Sequence, residues 1–180
     1  VYGRSKEAGE RAVRSAGPNH LILRTAWVYS PFGHNFVRTM LRVGAERDTL
    51  TVVDDQVGTP TAAHAIAAAL LVAADRLVRS FAPTRRGTYH FAGAGGVSWC
   101  GFAREIFRQA PAYGYAGAPR VDAIPSSHWP TKAPRPANSK LDSTAFEAAF
   151  DVTPRPWPDD LAPVLRALLD GGRQNGDGRL

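Results

Sequence analysis

Apolar positions in this chain change period from block to block, and the changes mark the elements. In "VYGRSKEAGERAVRSAG" small and apolar residues recur at three- and four-residue spacing among charges, which predicts an amphipathic helix over residues 1–16. Gly17 stands just past its end and Pro18 seals the stop. "HLILRTAWVY" is a continuous apolar run rich in β-branched and aromatic residues, the pattern of one buried strand over residues 20–29. "SPFGHN" reads as a loop, and "NFVRTMLRVGAER" as a helix with Asn35 placed to cap it. "TLTVV" is a short strand, "DDQVGTPT" a polar turn, and "AAHAIAAALLVAADRLV" a long helix whose alanines allow close packing on a sheet.

In the second half "RRGTYHFAG" predicts a strand, and "GAGG" at 93–96 a plain strand-to-helix connection. Ser98 caps a helix in "WCGFAREIFRQA". Residues 111–136 turn to Pro, Gly and polar residues, with one short strand at "RVDAIP". "SKLDSTAFEAAF" predicts a helix, and "WPDDLAPVLRALLDGG" another that stops at Gly171 before a frayed tail over residues 171–180. Strands alternating with helices indicate an α/β fold. An open α/β sheet begins with a strand, whereas this chain begins with the helix that should follow one, so the expectation is part of a longer protein.

Composition narrows the function classes. With 44% hydrophobic and 21% charged residues the chain is globular rather than disordered. No apolar run approaches the ~20 residues of a membrane span. Cys100 is the sole cysteine, which excludes an intrachain disulfide and fits a cytoplasmic setting; between apolar neighbours it reads as a core residue. The net charge of +6 rests on 19 Arg and 3 Lys, scattered without a basic arm, so nucleic acid is not the expected partner. Arginines of this kind also suit a phosphorylated small molecule. The five histidines show no metal-ligand spacing.

Tyr2 and Lys6 carry the most pointed chemistry. Residues i and i+4 share a helix face. A neighbouring ammonium stabilises a phenolate, and a phenol in such a setting can give a proton to a carbonyl oxygen or take one from an alcohol.

Tyr2-x-x-x-Lys6, the run ending "RTAWVY", then "GHNFVRTML", "DDQVGTPT" and "RPANSKLD" occur in one order. In that order the set resembles the extended short-chain dehydrogenase/reductase superfamily and, within it, the dTDP-4-dehydrorhamnose reductase family. The resemblance covers about residues 1–170. It implies a Rossmann-type domain that binds NADPH or NADH and a small α/β lobe that binds a nucleotide sugar. Residues 1–60 would be a remnant of the Rossmann domain with the catalytic helix and the start of the substrate lobe. Residues 61–170 would be that lobe, interleaved with a returning Rossmann helix and strand. The Gly-rich cofactor turn and a third catalytic Ser or Thr would lie ahead of Val1.

By resemblance Tyr2 is the proton donor to the 4-keto oxygen, and Tyr2 and Lys6 are cofactor-binding, Lys6 at the nicotinamide ribose. Trp27, Asn35, Gln56 and Arg135 contact the nucleotide sugar, Arg135 at its diphosphate, with Thr59 and Thr61 structural. The family also admits magnesium, for which no residues can be assigned, and a homodimer. Two other classes share the Tyr-Lys pair: a non-catalytic regulatory subunit, and nucleotide-sugar epimerases or dehydratases. "DDQVGTPT" and "RPANSKLD" favour the reductase.

Overall fold

The computed structural model describes residues 1–79, 85–131, 133 and 135–174, with side chains described through residue 170. Helix α1 spans Tyr2–Ala16, as its periodicity predicts, and buries none of its residues. An ion pair ties it to the rest of the chain: Arg24 donates Nε and Nη2 to the Glu10 carboxylate, both at 2.7 Å. Arg14 adds a third contact at 3.1 Å. The hydrogen bonds from Arg24, reinforced by Arg14, hold the Glu10 carboxyl at about 2 against its usual 4.5.

The apolar run after α1 is not one strand, as its pattern suggests, but two. Strand β1 covers Leu21–Arg24 and β2 covers Val28–Tyr29. Between them Trp27 adopts a φ of 48°, left-handed backbone that a strand cannot accommodate. The polar turn likewise contains two short strands, β4 at Val57–Gly58 and β5 at Thr61–Ala62, after β3 at Thr49–Val53. Further along lie β6 (Gly87–His90), β7 (Val97–Ser98) and β8 (Arg120–Ile124). All pair at long range. β1 runs parallel to β6 with Leu21 opposite Gly87, β2 parallel to β5, and β3 parallel to β8 with Thr49 opposite Arg120. β4 lies antiparallel to β7.

Five further helices cover these strands: α2 (Phe36–Glu46), α3 (Ala63–Arg79), α4 (Trp99–Gln109), α5 (Thr144–Phe150) and α6 (Trp157–Gln174). α5 begins later than its sequence pattern suggests. Residues 137–139 are engaged with Val57 instead, and Asp142 accepts the backbone N–H of Thr144 at 2.9 Å to start the helix. α6 continues past Gly171 to Gln174; the expected fraying of residues 175–180 lies outside the described residues.

Two apolar clusters hold the molecule together. One joins α2, α4 and α6 through Leu41, Phe102, Ile106, Leu161 and Leu165, all buried. The other packs Phe146 and Phe150 of α5 against Phe91 and the α3 alanines Ala69 and Ala73. Each buried Phe or Leu contributes roughly 1.5–3 kcal/mol. Two phenols are satisfied inside: Tyr29 donates to Trp157 O at 3.3 Å, and Tyr115 to Leu41 O at 2.7 Å. Burial, and secondarily the Asp160 charge, pushes the Tyr29 hydroxyl far above its usual range. Asp160 is itself buried, with Arg155 at 3.3 Å and His64 at 3.6 Å. Cys100 is fully buried and burial pushes its thiol up, which suits a core residue. No described helix is long and apolar enough to cross a membrane. Among the described residues no His, Cys, Asp or Glu cluster could hold a metal.

Replacing Glu10 by Gln should release α1 at neutral pH, read as faster amide exchange over residues 2–16 with the rest of the chain unchanged. In the native sequence the depressed carboxyl gives a contribution that is fully present above about pH 4.5 and lost as pH falls through about 2. Exchange over α1 that is indifferent to the substitution would show that another contact holds the helix.

Candidate functional site

The first predicted pair forms as expected. Tyr2 and Lys6 lie on one face of α1, with the Lys6 ammonium 5.5 Å from the centre of the Tyr2 ring. Tyr2 is 75% exposed. Among the described residues neither side chain is held by a hydrogen bond or ion pair to another element, so both polar ends face outward. Ser5 Oγ donates to Tyr2 O at 2.8 Å and tightens this first turn.

A second group assembles from four separate segments. The backbone N–H of Val57 donates to Ala137 O, and Ser139 N–H donates to Val57 O, both at 2.8 Å. This joins "DDQVGTPT" to "RPANSKLD". On its other side β4 pairs with β7, which brings up the start of α4. Trp27 completes the group. Its indole Nε1 donates to Ser139 Oγ at 3.0 Å, and its ring stacks on Trp99 with centroids 3.4 Å apart and planes 7° from parallel. Gly58 permits this, since a Cβ there would fall 2.5 Å from the Trp27 Nε1. A non-glycine residue with positive φ is strained backbone, of the kind that packed functional sites retain.

Gln56 sits half-buried immediately before Val57, and Arg135 lies exposed just ahead of Ala137, so the junction at Val57 brings both segments together. Among the described residues Arg135 has no ion-pair partner. Pro136 follows it; the other proline expected to stiffen it, Pro134, lies outside the described residues. Asn35 caps α2 as predicted: its Oδ1 accepts Arg38 N–H at 3.2 Å, while its Nδ2 donates to Ser30 O at 2.8 Å. Asn35 joins the Trp27 group through its neighbour Phe36, whose ring centre lies 4.7 Å from that of Trp99.

Several other polar residues of these motifs bond within the fold. Asp54 accepts from the Ser98 hydroxyl at 2.5 Å, and Ser98 Oγ caps α4 by accepting Gly101 N–H. Asp55 accepts the Ser126 N–H and hydroxyl at 2.9 Å, contacts that lower its carboxyl below the ordinary range. Thr61 Oγ1 donates to Thr59 O and accepts from Gly93 N–H. Among the described residues the buried Thr59 hydroxyl has no hydrogen-bond partner. The "GAGG" segment exchanges backbone hydrogen bonds with the start of α6 through Ala94, as a connection rather than a phosphate cradle.

The structure therefore brings Trp27, Gln56 and Arg135 into one neighbourhood, with Asn35 one aromatic contact away. It records no direct polar contact, among the described residues, between that group and the Tyr2–Lys6 pair. Sequence patterns miss Trp99, Ser139 and Gly58. The only local signal for them is the cap at Ser98 and the small residue at 58.

Gly58→Ala should displace the Trp27 ring and cost about 1–3 kcal/mol, as overpacking does. Urea unfolding followed by tryptophan emission measures both effects. An unchanged midpoint and unchanged emission would mean that the ring does not rest against Gly58.

Comparison with known proteins bears on this geometry. The family described as RmlD substrate binding domain matches residues 1–169. A dTDP-4-dehydrorhamnose reductase of Sinorhizobium fredii is 42% identical over 181 residues, covering 96% of this chain and 58% of that protein. The crystal structure of a dTDP-4-dehydrorhamnose reductase from Clostridium acetobutylicum is similar with a TM-score of 0.81 at 36% identity, covering 93% of this chain and 55% of that one. That of the Bacillus anthracis reductase, in complex with NADP, matches with a TM-score of 0.76 at 32% identity, covering 91% and 54%. The chain spans just over half the length of each relative. With the α/β fold, the ordered motifs and a match over residues 1–169 in agreement, the chain belongs to the family of RmlD substrate-binding domains.

Proposed function

We propose that this chain provides the proton donor and the nucleotide-sugar site of a dTDP-4-dehydrorhamnose reductase, which reduces the 4-keto group of dTDP-4-dehydrorhamnose to give dTDP-L-rhamnose in the cytoplasm. The observation that carries the proposal is the Tyr2–Lys6 pair, side by side on one exposed helix face with no competing partner among the described residues. Its setting in a chain 42% identical to a named reductase supports it.

In this reading the Tyr2 hydroxyl donates its proton to O4 of the sugar as negative charge builds there, and the carbonyl becomes an alcohol. A bound nicotinamide, NADPH or NADH, supplies the hydride to C4. Lys6 fits the ribose hydroxyls of that cofactor, since its ammonium has no acceptor among the described residues, and its charge favours the phenolate left behind. The NADP bound to the B. anthracis relative favours the phosphorylated form.

Trp27 presents its ring to the sugar. Its indole N–H is already engaged with Ser139, so it offers apolar surface rather than a donor. Gln56 and Asn35 lie at the polar margin, and Arg135, unpaired, meets the diphosphate. Residues 1–60 correspond to the catalytic helix and the start of the substrate lobe, and residues 61–170 to the rest of that lobe with a returning helix and strand of the cofactor domain. The partner is the nucleotide sugar, with a second copy of the chain in a homodimer.

The test uses a hybrid reductase, in which the part of the S. fredii relative that this chain does not match precedes Val1. Tyr2→Phe should lower kcat for the 4-keto nucleotide sugar by about 10²–10⁴ and leave NADPH binding unchanged, because the phenolic proton is needed only in the transition state. Turnover near that of the unsubstituted hybrid would remove Tyr2 from the role of acid. The 180-residue chain alone, assayed in parallel, should oxidise no NADPH.

Arg135→Ala in the same hybrid should raise KM for the nucleotide sugar about tens-fold, as expected for a lost charge-assisted hydrogen bond, and leave KM for NADPH unchanged. A parallel rise in both constants would assign Arg135 to folding instead.

A further inference from the structure

Trp27 has a strained backbone, and three unrelated segments hold its ring. Trp99 covers it by near-parallel stacking at 3.4 Å. Ser139 takes its only hydrogen-bond donor at 3.0 Å. Gly58 yields the space beside it. Trp99 is in turn backed by Phe36, whose ring lies 5.3 Å from that of Phe102 in the main core. Ser139 is fixed by its own backbone hydrogen bond to Val57 O and by a second from its hydroxyl to the same oxygen at 3.2 Å. The restraint on the indole thus runs unbroken from a fully buried phenylalanine to the surface.

A buried indole ordinarily finds a partner for its N–H, so the Ser139 bond alone would not set Trp27 apart; the left-handed backbone and the near-parallel stack on Trp99 do. Here the ring is restrained in tilt by the stack and in rotation by the Nε1 bond, while the residue remains only half-buried. That combination is what a binding surface needs, because ordering a side chain before the ligand arrives removes an entropic cost from binding.

We propose that Trp99 and Ser139 are positioning residues that lock the Trp27 indole into one orientation, so that it presents apolar ring surface, and no hydrogen-bond donor, to the sugar. The inference rests on the reading above that Trp27 contacts the nucleotide sugar. Neither Trp99 nor Ser139 need touch substrate; both act through Trp27.

The experiment is a double-mutant cycle in the hybrid reductase, with KM for the nucleotide sugar and for NADPH measured separately. Trp99→Leu should raise KM for the sugar about tenfold, the upper end of what an aromatic pair contributes, with KM for NADPH unchanged. Trp99→Phe should recover most of the loss. Ser139→Ala should act in the same direction. In a Trp27→Ala background neither substitution should have any further effect on the sugar KM.

Three results would overturn the proposal: equal rises in both KM values, a Trp99→Leu effect that persists in full without the Trp27 ring, or no effect of Trp99→Leu at all. If Trp99→Leu fails to fold, Ser139→Ala carries the cycle with the same expectations. If Trp27→Ala alone leaves the sugar KM unchanged, the assignment of Trp27 to the substrate fails and the inference falls with it. That outcome is recognisable because it appears in the single Trp27 variant.

Discussion

Both backbone polar groups of Val57 are engaged outside its own strand, one with Ala137 and the other with Ser139, while β4 also pairs with β7. A turn between two strands is ordinarily free to lean. This one is pinned on two sides, because moving it would break both of those backbone hydrogen bonds as well as its pairing with β7. The consequences spread outward from that residue. The segments that carry Gln56 and Arg135 are joined, Ser139 is aimed at the Trp27 indole, and the Ser98 cap opens the helix that carries Trp99 to the same ring. The site is positioned by main-chain hydrogen bonds, and the side chains named in it inherit their places.

The parts of the molecule legible in the sequence are those fixed by local physics. The Tyr2–Lys6 juxtaposition needs only helix geometry, and it formed. The Asn35 and Ser98 caps need only a short acceptor beside a free amide, and both formed. The buried state of Cys100 followed from its apolar neighbours. The run from His20 to Tyr29 misled because its hydrophobicity is continuous, whereas its backbone is not. Trp27 turns left-handed to meet Trp99, a residue too distant for any periodic pattern to register. The helix expected from Ser139 was preempted for the same reason, since its opening residues have partners at Val57. Long-range pairing decided these cases, and a pattern read along the chain does not contain it.

The ladder of β1 and β6 has an incomplete environment. Parallel strands are generally covered on both faces, yet Leu21, Ile22 and Leu23 all remain partly exposed, as do Leu71 and Val78 on α3. The helix that bears Tyr2 and Lys6 is attached through Glu10 and buries nothing. In the proposed reductase these are the surfaces that meet the cofactor-binding part. Of the two apolar clusters, the larger packs against Trp27, Phe36 and Trp99, and the second covers one side of Leu21, Leu23 and Tyr89 in this ladder.

The strand pairings also say something about how the chain reaches this state. Among the described residues no two paired strands are joined by a hairpin: Leu21 must find Gly87, Thr49 must find Arg120, and Val57 must find both Ser98 and Asn138. Each of these contacts closes a long loop before any ladder hydrogen bond forms, and topologies of that kind fold slowly. Helices α2 and α4 carry their own caps at Asn35 and Ser98, so their ends are set locally, independently of the strand pairings. The Val57 junction needs three distant segments at once, so it is among the last features to assemble. Its closure brings Ser139 to the Trp27 indole, which makes the Trp27–Trp99 stack a local optical probe of that step.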